Sequence, residues 1–245
     1  MGFDDKGIDV NESIYAELEN PCTPQYLDLK KKLCFVEQPV MFGPAMTSPS
    51  IIKDNLASQL HSNWEAKLPT PSPDDQRLMW DKSYLDSLQF TKTLVGRNEL
   101  DRTPVKGQVI SPLGYQLKMV VRDILKHNDM RLGDLYRGGA NLTRHSPFLA
   151  RPHTDHTFPH VGMLIYLNNC TGDTVICNER ASDLSENEGG SESFVQLEDT
   201  TVGAKITPAE NKVIIMDGSR YHYNLLPSKE EGGRMVIVAT FSLRQ

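Results

Sequence analysis

The amino-acid sequence predicts a mainly β protein of the α+β class, with helices flanking a β-sandwich or barrel. From residue 134 to the end of the chain, short extended runs alternate with turn residues. Immediately before them, residues 112–127 have the periodicity of one strongly amphipathic helix. The chain has 245 residues, 38% of them hydrophobic, which is enough to bury a sizeable core.

Residues 1–105 are predicted to form a helical and irregular support region packed on the core. Helical patterns occur at 24–33, at 50–60 and from about residue 75, with proline-rich segments between them. This region contains no recognisable arrangement of catalytic residue types. We therefore expect it to support the core and to form a wall of a pocket, in one compact domain with residues 106–245.

Periodicity and turn signals define the elements of the second half of the chain. The apolar stripe of the predicted helix consists of Leu113, Leu117, Val120, Val121, Ile124 and Leu125. The predicted strands cover residues 135–141, 152–155, 161–167, 174–177, 193–197, 201–206, 212–217, 220–225 and 234–243. Between two of these strands, the Gly/Ser/Glu-rich segment 181–192 is predicted to be a loop, and whether it acts as a lid stays open.

Charge and composition disfavour several classes of function. The formal net charge is −6 and the chain has no extended basic run, so nucleic acid is an unlikely partner. The N-terminus is acidic and polar, unlike a signal peptide, and no apolar run is long enough to span a bilayer. The four cysteines form no CxxC pair and are expected to be reduced thiols. We therefore expect a cytoplasmic protein with no membrane partner; its oligomeric state stays open.

The segment His153-Thr154-Asp155 is the strongest chemical signal in the chain. On an extended strand, side chains at i and i+2 point to the same face, so the imidazole and the carboxylate lie side by side. One further histidine would complete a two-His, one-carboxylate site for a divalent first-row metal. His222 follows an apolar strand and a turn, far enough along the chain to pair with His153.

Arg234 is the second unusual residue, because it opens an otherwise apolar strand. It shares one face of that strand with Val236, Val238 and Thr240. If this face is the interior of a barrel, the guanidinium needs an anionic partner, since a buried unpaired charge is very unfavourable. A carboxylate bound through two parallel hydrogen bonds is the natural partner.

The ordered set of HxD, distal His and then Arg resembles the Fe(II)- and 2-oxoglutarate-dependent oxygenases. The match is most similar to the prolyl-hydroxylase-like branch, which includes small phage and bacterial members, and it covers a little under half of the chain. It extends over residues 135–142, 162–168, 171–174 and 208–217. The resemblance implies a double-stranded β-helix core of the jelly-roll or cupin-like type. It also implies Fe(II), 2-oxoglutarate and O2 as cofactor and co-substrates, and hydroxylation of an unactivated C–H bond with release of succinate and CO2.

The resemblance also implies roles for individual residues. The iron ligands would be His153, Asp155 and His222. The distal carboxylate of 2-oxoglutarate would be bound by Arg234, Tyr166 and Thr174, and weaker candidates for the pocket are Asn141 and Tyr136. The branch often has Lys at the anchor and Gly-Gly where this chain has Thr171-Gly172. These departures leave the substrate open, as a small molecule or a peptide.

Three further expectations and two alternative functions complete the sequence-based interpretation. His156 and His160 are expected at the mouth of the site or on the surface, because His156 points away from the face of Asp155. Arg151, one pleat before His153, is a candidate contact for an anionic substrate. The alternative functions are a catalytically silent barrel that binds a small acid or a protein, and a cupin-like metalloenzyme that does not use 2-oxoglutarate.

Overall fold

The computed structural model describes residues 14–34, 43–45, 89–97, 103–145, 152–181, 193–195, 197–228 and 230–244. The helices predicted at 50–60 and from about residue 75 lie outside these residues. Arg151 and the loop 181–192 beyond its first residue also lie outside them.

The described chain is mainly β and forms two antiparallel sheets. The strands of the larger sheet are β1 (Tyr15–Leu18), β2 (Gly43–Ala45), β3 (Gln89–Gly96), β4 (Gln108–Val109), β5 (Leu132–Thr143), β7 (Val161–Tyr166), β11 (Val213–Asp217) and β13 (Arg234–Leu243). The strands of the smaller sheet are β6 (His153–Thr154), β8 (Thr174–Arg180), β9 (Ser193–Phe194), β10 (Val202–Ile206) and β12 (Arg220–Asn224). The larger sheet has the order β1-β11-β7-β13-β5-β3-β2, with β4 paired to β3, and the smaller has the order β10-β8-β12-β6-β9.

In the described part of the chain, two α-helices flank the larger sheet, α1 (Pro24–Cys34) and α2 (Pro112–His127). Helix α2 has the bounds predicted from its apolar stripe. The Ser111 side chain accepts a hydrogen bond from the backbone N–H of Leu113, and Pro112 occupies the first turn, where it costs no hydrogen bond. No helix in the described part of the chain is long and apolar enough to cross a membrane.

The main hydrophobic core lies between the helices and the outer face of the larger sheet. Leu117, Val120 and Ile124 of α2 are fully buried there, together with Leu29 and Leu33 of α1. Helix α2 lies so close to the sheet that a Cβ added to Gly138 of β5 would lie 2.6 Å from the Cδ2 of Leu117. A glycine in β5 therefore allows this close packing of helix on sheet.

A second apolar cluster lies between the two sheets. Its members from the larger sheet are Leu164, Tyr166, Ile214, Met216 and Val236, and from the smaller sheet Ile176 and Ile206. On β13, Arg234 and Val236 lie on this inner face, as the alternation along the strand predicts. The space between the sheets is therefore where inward-pointing polar groups can meet.

The predicted mainly β class with flanking helices is confirmed, and the predicted strands after residue 133 are found with shifted ends. Strand β8 is three residues longer than predicted, and the segment predicted as strand 193–197 is only the short β9 followed by a 3-10 helix at Leu197–Asp199. Strands β1, β2, β3 and β4 were not predicted. The finer assignment to a double-stranded β-helix and the boundary at residue 105 stay predictions.

Candidate metal centre

His153 and His222 face each other across two neighbouring strands of the smaller sheet. Strand β6 pairs with β12 so that the two residues are direct register partners, and their ring centroids lie 4.7 Å apart. Asp155 follows β6 two residues after His153, on the same face. The three side chains offer ligand atoms that all lie within 4.8 Å of one another. The fold thus brings together the three residues predicted as metal ligands.

A hydrogen bond to the backbone orients the distal imidazole. The Nδ1 of His222 lies 3.2 Å from the carbonyl oxygen of Arg220, so Nδ1–H is the donor in the neutral ring. Its Nε2 then carries a lone pair and lies 3.7 Å from Oδ2 of Asp155. This tautomer presents a free nitrogen to a metal, and such outer hydrogen bonds fix the ring of a ligating histidine.

Burial and neighbouring charges hold these groups in their metal-binding protonation states. Burial, with His153 adding to it, lowers the pKa of His222 to about 4. Burial alone would raise the pKa of the Asp155 carboxyl, but the facing His222 and Arg137 side chains hold that pKa below its usual range. A neutral imidazole and an ionised carboxylate are the forms that bind a metal without first losing a proton.

The donor set fits a divalent first-row transition metal. Two imidazole nitrogens and one carboxylate oxygen occupy one side of the ion and leave positions on the other side open. Asp155 and His222 are buried, whereas His153 is half-buried. The ionised Asp155 carboxylate supplies the negative charge that a divalent cation needs in this site.

Arg234 is buried, and no acidic side chain of the described residues pairs with it. It is 2% exposed and donates a hydrogen bond of 2.6 Å from Nη2 to the hydroxyl oxygen of Thr174. Tyr166 donates to the same oxygen at 2.7 Å, and the guanidinium carbon lies 5.4 Å from the Tyr166 ring centroid. The Nε of Arg234 has no hydrogen-bond partner. Burial lowers the pKa of Arg234, but a guanidinium stays charged in proteins, so this pocket still needs an anion.

Arg234, Thr174 and Tyr166 form a cluster, here called the Arg234 cluster. Its Thr174 lies two residues along β8 from the residue that pairs with the candidate ligand His222. On β8, Ile176 pairs with His222 of β12, and Thr174 pairs with Asn224. Residues two apart on a strand point to the same face and are about 7 Å apart. A short acid with one end at the metal could therefore extend its other end toward Thr174 and Arg234.

Gly172 allows the turn before β8 to pack against Arg234. A Cβ at this position would lie 3.0 Å from the Leu225 carbonyl oxygen and 3.2 Å from the Cδ of Arg234. Any larger side chain would therefore press on the backbone after β12 and on the guanidinium stem. This is a packing reason for the glycine that the sequence resemblance places in this turn.

A small opening, which we call the cavity, adjoins Asp155 on the side of the larger sheet. Its wall consists of Thr91, Thr93, Arg137, Gly138, Gly139, Asn141, Asp155, Val238 and Thr240. Asn141 therefore lies in the cavity wall, where its Oδ1 accepts a hydrogen bond of 2.9 Å from the Thr91 hydroxyl. Asn141 is separate from the Arg234 cluster, and its role in binding a co-substrate stays a prediction.

His156 and His160 are buried, so the expectation that they line the mouth of the site or the surface was wrong. They are 1% and 6% exposed, and the ring of His156 stacks on Phe158 at 4.8 Å. The Nε2 of His156 lies 2.7 Å from the Thr240 hydroxyl. Tyr136 packs edge-on against Phe158 and is part of this aromatic cluster instead of the cavity wall. The face opposite Asp155 is covered by packed side chains, which strand alternation alone does not reveal.

Sequence reasoning missed the part of the cavity wall that comes from Arg137, Thr91 and Thr93. A signal for Arg137 was present in the sequence. It lies four residues before Asn141, which was predicted for the pocket, and residues an even number apart on a strand point to the same face. Thr91 and Thr93 alternate on β3, a strand that the sequence patterns did not predict. Strand β3 pairs with β5, so the N-terminal region forms part of the wall of the cavity.

Comparisons with known proteins found similar solved structures only at low identity. No family model matches the sequence, and no curated protein matches it. A 2OG-Fe(II) oxygenase family oxidoreductase from Burkholderia pseudomallei is 15% identical with a TM-score of 0.38, covering 63% of this chain and 68% of that one. A Pseudomonas putida prolyl-4-hydroxylase is 12% identical with a TM-score of 0.36, covering 96% and 97%. The epimerase SnoN, solved with Fe3+ and alpha ketoglutarate, is 8% identical with a TM-score of 0.37, covering 82% and 77%. Likeness at this level assigns no function.

The buried His156 predicts a loss of stability in mild acid. Burial, reinforced by the neighbouring His160, lowers the pKa of His156 to about 3 in the folded protein. The unfolded chain takes up this proton near pH 6.5, so the stabilisation is complete above that pH and is lost as the pH falls. In the metal-free protein, we expect His156 to account for a loss of about 2 kcal/mol in unfolding free energy between pH 6.5 and 5.

The substitution His156→Gln tests this prediction, because its amide can keep the bond to Thr240 but does not titrate. Urea unfolding at several pH values should show a shallower acid dependence in this variant than in the wild type. If the unfolding free energies of His156→Gln and the wild type depended equally on pH, protonation of His156 would not destabilise the folded protein, which contradicts the prediction.

Proposed function

We propose that this protein is an Fe(II)- and 2-oxoglutarate-dependent dioxygenase that hydroxylates an unactivated C–H bond. The products of the co-substrate would be succinate and CO2. The observation that carries the proposal is a buried Arg234 without an acidic partner among the described residues, near the convergent His153, Asp155 and His222. Arg234 donates to Thr174, which lies two residues along β8 from Ile176, the register partner of His222. A metal site alone fits many enzymes, whereas a neighbouring buried cation that needs a carboxylate favours a dicarboxylic co-substrate.

The strand arrangement supports a double-stranded β-helix core for this proposal. The strands β11, β7, β13 and β5 are neighbours in one sheet, and β8, β12 and β6 are neighbours in the other. An apolar cluster fills the space between the sheets, and the candidate ligands lie on the smaller sheet. This is the arrangement expected of a jelly-roll whose inner faces hold the site.

In the proposed mechanism, the residues of this chain bind and orient the reactants. His153, Asp155 and His222 would hold Fe(II) from one side, and the bond from His222 Nδ1–H to the Arg220 carbonyl would keep that ring in place. Arg234 would bind the distal carboxylate of 2-oxoglutarate through two parallel hydrogen bonds. Bound Fe(II), with 2-oxoglutarate and O2, supplies oxidative decarboxylation coupled to oxidation of the C–H bond.

The Tyr166 and Thr174 hydroxyls would complete the binding of the co-substrate. Because Tyr166 and Arg234 both donate to the Thr174 oxygen, the Thr174 hydroxyl hydrogen remains to be donated to a carboxylate. All three side chains are buried, so they would act in a site from which water is largely excluded. Their interactions with an anion are stronger there than they would be in water.

Anaerobic spectroscopy tests this function without knowledge of the substrate. Fe(II) and then 2-oxoglutarate are added to the metal-free protein, and we expect a visible metal-to-ligand charge-transfer band that saturates with one equivalent of each. Admission of O2 should then yield slow formation of succinate. Bound iron without the band would favour a cupin-like metalloenzyme, and the absence of iron binding would favour a silent binding barrel.

A further inference from the structure

We infer that Thr143 is a further residue of the 2-oxoglutarate site, and that its hydroxyl donates a hydrogen bond to the distal carboxylate beside Arg234. The inference rests on the proposed function and adds to it a residue that the sequence resemblance does not include. Thr143 is the last residue of β5, in the larger sheet. Three observations support this role, namely its place opposite Arg234, its burial and its unpaired hydroxyl.

Strand pairing places Thr143 directly opposite Arg234. Strands β5 and β13 are antiparallel, and Thr143 and Arg234 are register partners. Directly opposite residues of an antiparallel pair have their side chains on the same face, with Cβ atoms about 4.5–5.5 Å apart. The next partners on this face are Asn141 and Val236, and Val236 belongs to the apolar cluster between the sheets. Thr143 therefore faces the space between the two sheets, beside Arg234.

The hydroxyl of Thr143 is buried without a hydrogen-bond partner. The residue is 2% exposed, and its Oγ1 has no partner in the part of the chain that the structure describes. A β-branched residue suits a strand, but valine has nearly the same shape and would avoid an unpaired buried hydroxyl. Because most buried polar side-chain atoms have a partner, we expect this hydroxyl to bond to a group that binds in the site.

Arg234 has an unpaired donor at the end of its guanidinium that is nearer to β13. Its Nη2 reaches Thr174 on the smaller sheet, whereas its Nε has no partner. Nε is the guanidinium nitrogen nearest to the main chain, and a threonine hydroxyl also lies close to its own main chain. On β5 and β13, Oγ1 of Thr143 and Nε of Arg234 are the two buried side-chain polar atoms without a partner among the described residues. Both unpaired groups thus come from one pair of facing residues.

One oxygen of a carboxylate can satisfy both groups, because the hydroxyl and the Nε–H can each donate a hydrogen bond. The second oxygen would then lie toward Nη2 of Arg234 and the Thr174 hydroxyl, whose hydrogen remains available. A carboxylate has about four acceptor positions, which suits donors from both sheets. Thr143 would therefore hold the carboxylate from the larger sheet, as Thr174 would hold it from the smaller one.

Replacing Thr143 with valine tests this role, because the two side chains have nearly the same shape. The probe is 2-oxoglutarate, added without oxygen to the full chain loaded with Fe(II), and the charge-transfer band measures its binding. We expect about a 5- to 20-fold rise in the dissociation constant for 2-oxoglutarate, with unchanged iron binding. Without 2-oxoglutarate, we expect the melting temperature to rise by about 2–4 °C, because an unpaired buried hydroxyl is removed.

Two further variants separate a binding role from a structural one. Thr143→Ser keeps the hydroxyl but removes a buried methyl group, so its 2-oxoglutarate affinity should stay within about twofold of the wild type while its melting temperature falls. Thr157→Val is a matched control, because Oγ1 of Thr157 is also buried without a partner but lies outside the Arg234 cluster. This control should gain thermal stability without a change in 2-oxoglutarate affinity.

A double-mutant cycle with Arg234→Met tests whether both residues bind the same carboxylate. If they do, Thr143→Val should weaken 2-oxoglutarate binding by less than about twofold in the Arg234→Met background. A full effect in that background would place the hydroxyl at another part of the co-substrate and overturn the inference. Wild-type affinity in Thr143→Val would also overturn it. If the wild-type protein bound iron but gave no charge-transfer band with 2-oxoglutarate, the proposed function itself would fail, and the inference with it.

Discussion

In His222→Ala, the protein should bind Fe(II) more than about 100-fold more weakly than the wild type, because one of only three protein ligands is lost. The contacts of the His222 ring are polar or with the other candidate ligands, namely Asp155, His153 and the Arg220 carbonyl oxygen. We therefore expect the variant to fold.

The measurement is anaerobic titration of the metal-free protein with Fe(II), followed by dialysis and determination of bound iron. Far-ultraviolet circular dichroism of the same sample checks the fold. The control His127→Ala removes an exposed histidine from the end of α2 and should bind one equivalent of iron like the wild type. Wild-type iron affinity in His222→Ala would show that the three convergent side chains are not the metal site.

Replacing Arg234 with methionine should weaken 2-oxoglutarate binding and stabilise the protein in the absence of 2-oxoglutarate. Loss of hydrogen bonds to a charged carboxylate corresponds to about a 10- to 100-fold rise in the dissociation constant. In the protein without co-substrate, the guanidinium is buried without an acidic partner among the described residues, and methionine of similar length removes that buried charge. The Tyr166 hydroxyl keeps its bond to Thr174. We expect equal or higher thermal stability.

Weaker 2-oxoglutarate binding without a loss of thermal stability would distinguish an arginine that binds a ligand from one that supports the fold. Iron binding should be unchanged in Arg234→Met, while the charge-transfer band should require a much higher 2-oxoglutarate concentration. The exposed Arg244 serves for a matched control, Arg244→Met, in which neither quantity should change. Lower thermal stability together with unchanged 2-oxoglutarate affinity would mean that Arg234 supports the fold, and the cupin-like alternative would then gain weight.

Local patterns in the sequence were sufficient for helix α2, for most of the strands after residue 133 and for which residues of a strand share a face. Helix α2 was predicted with its observed bounds from its apolar stripe, because the helical spacing of apolar residues is a property of the local sequence. The same-face placement of His153 and Asp155, and the inward position of Arg234, follow from the two-residue period of a strand. These features are local, so neighbouring residues determine them.

The tertiary structure decided what lies opposite each of these residues. The register of β6 with β12 places His222 across from His153, and the burial of His156 depends on Phe158 and Thr240 packing around it. The cavity wall needs β3, which pairs with β5 across some fifty residues of sequence, as the bond between Thr91 and Asn141 shows. Strand pairing and side-chain packing depend on contacts between distant segments, and the periodicity of one segment carries no information about its partner.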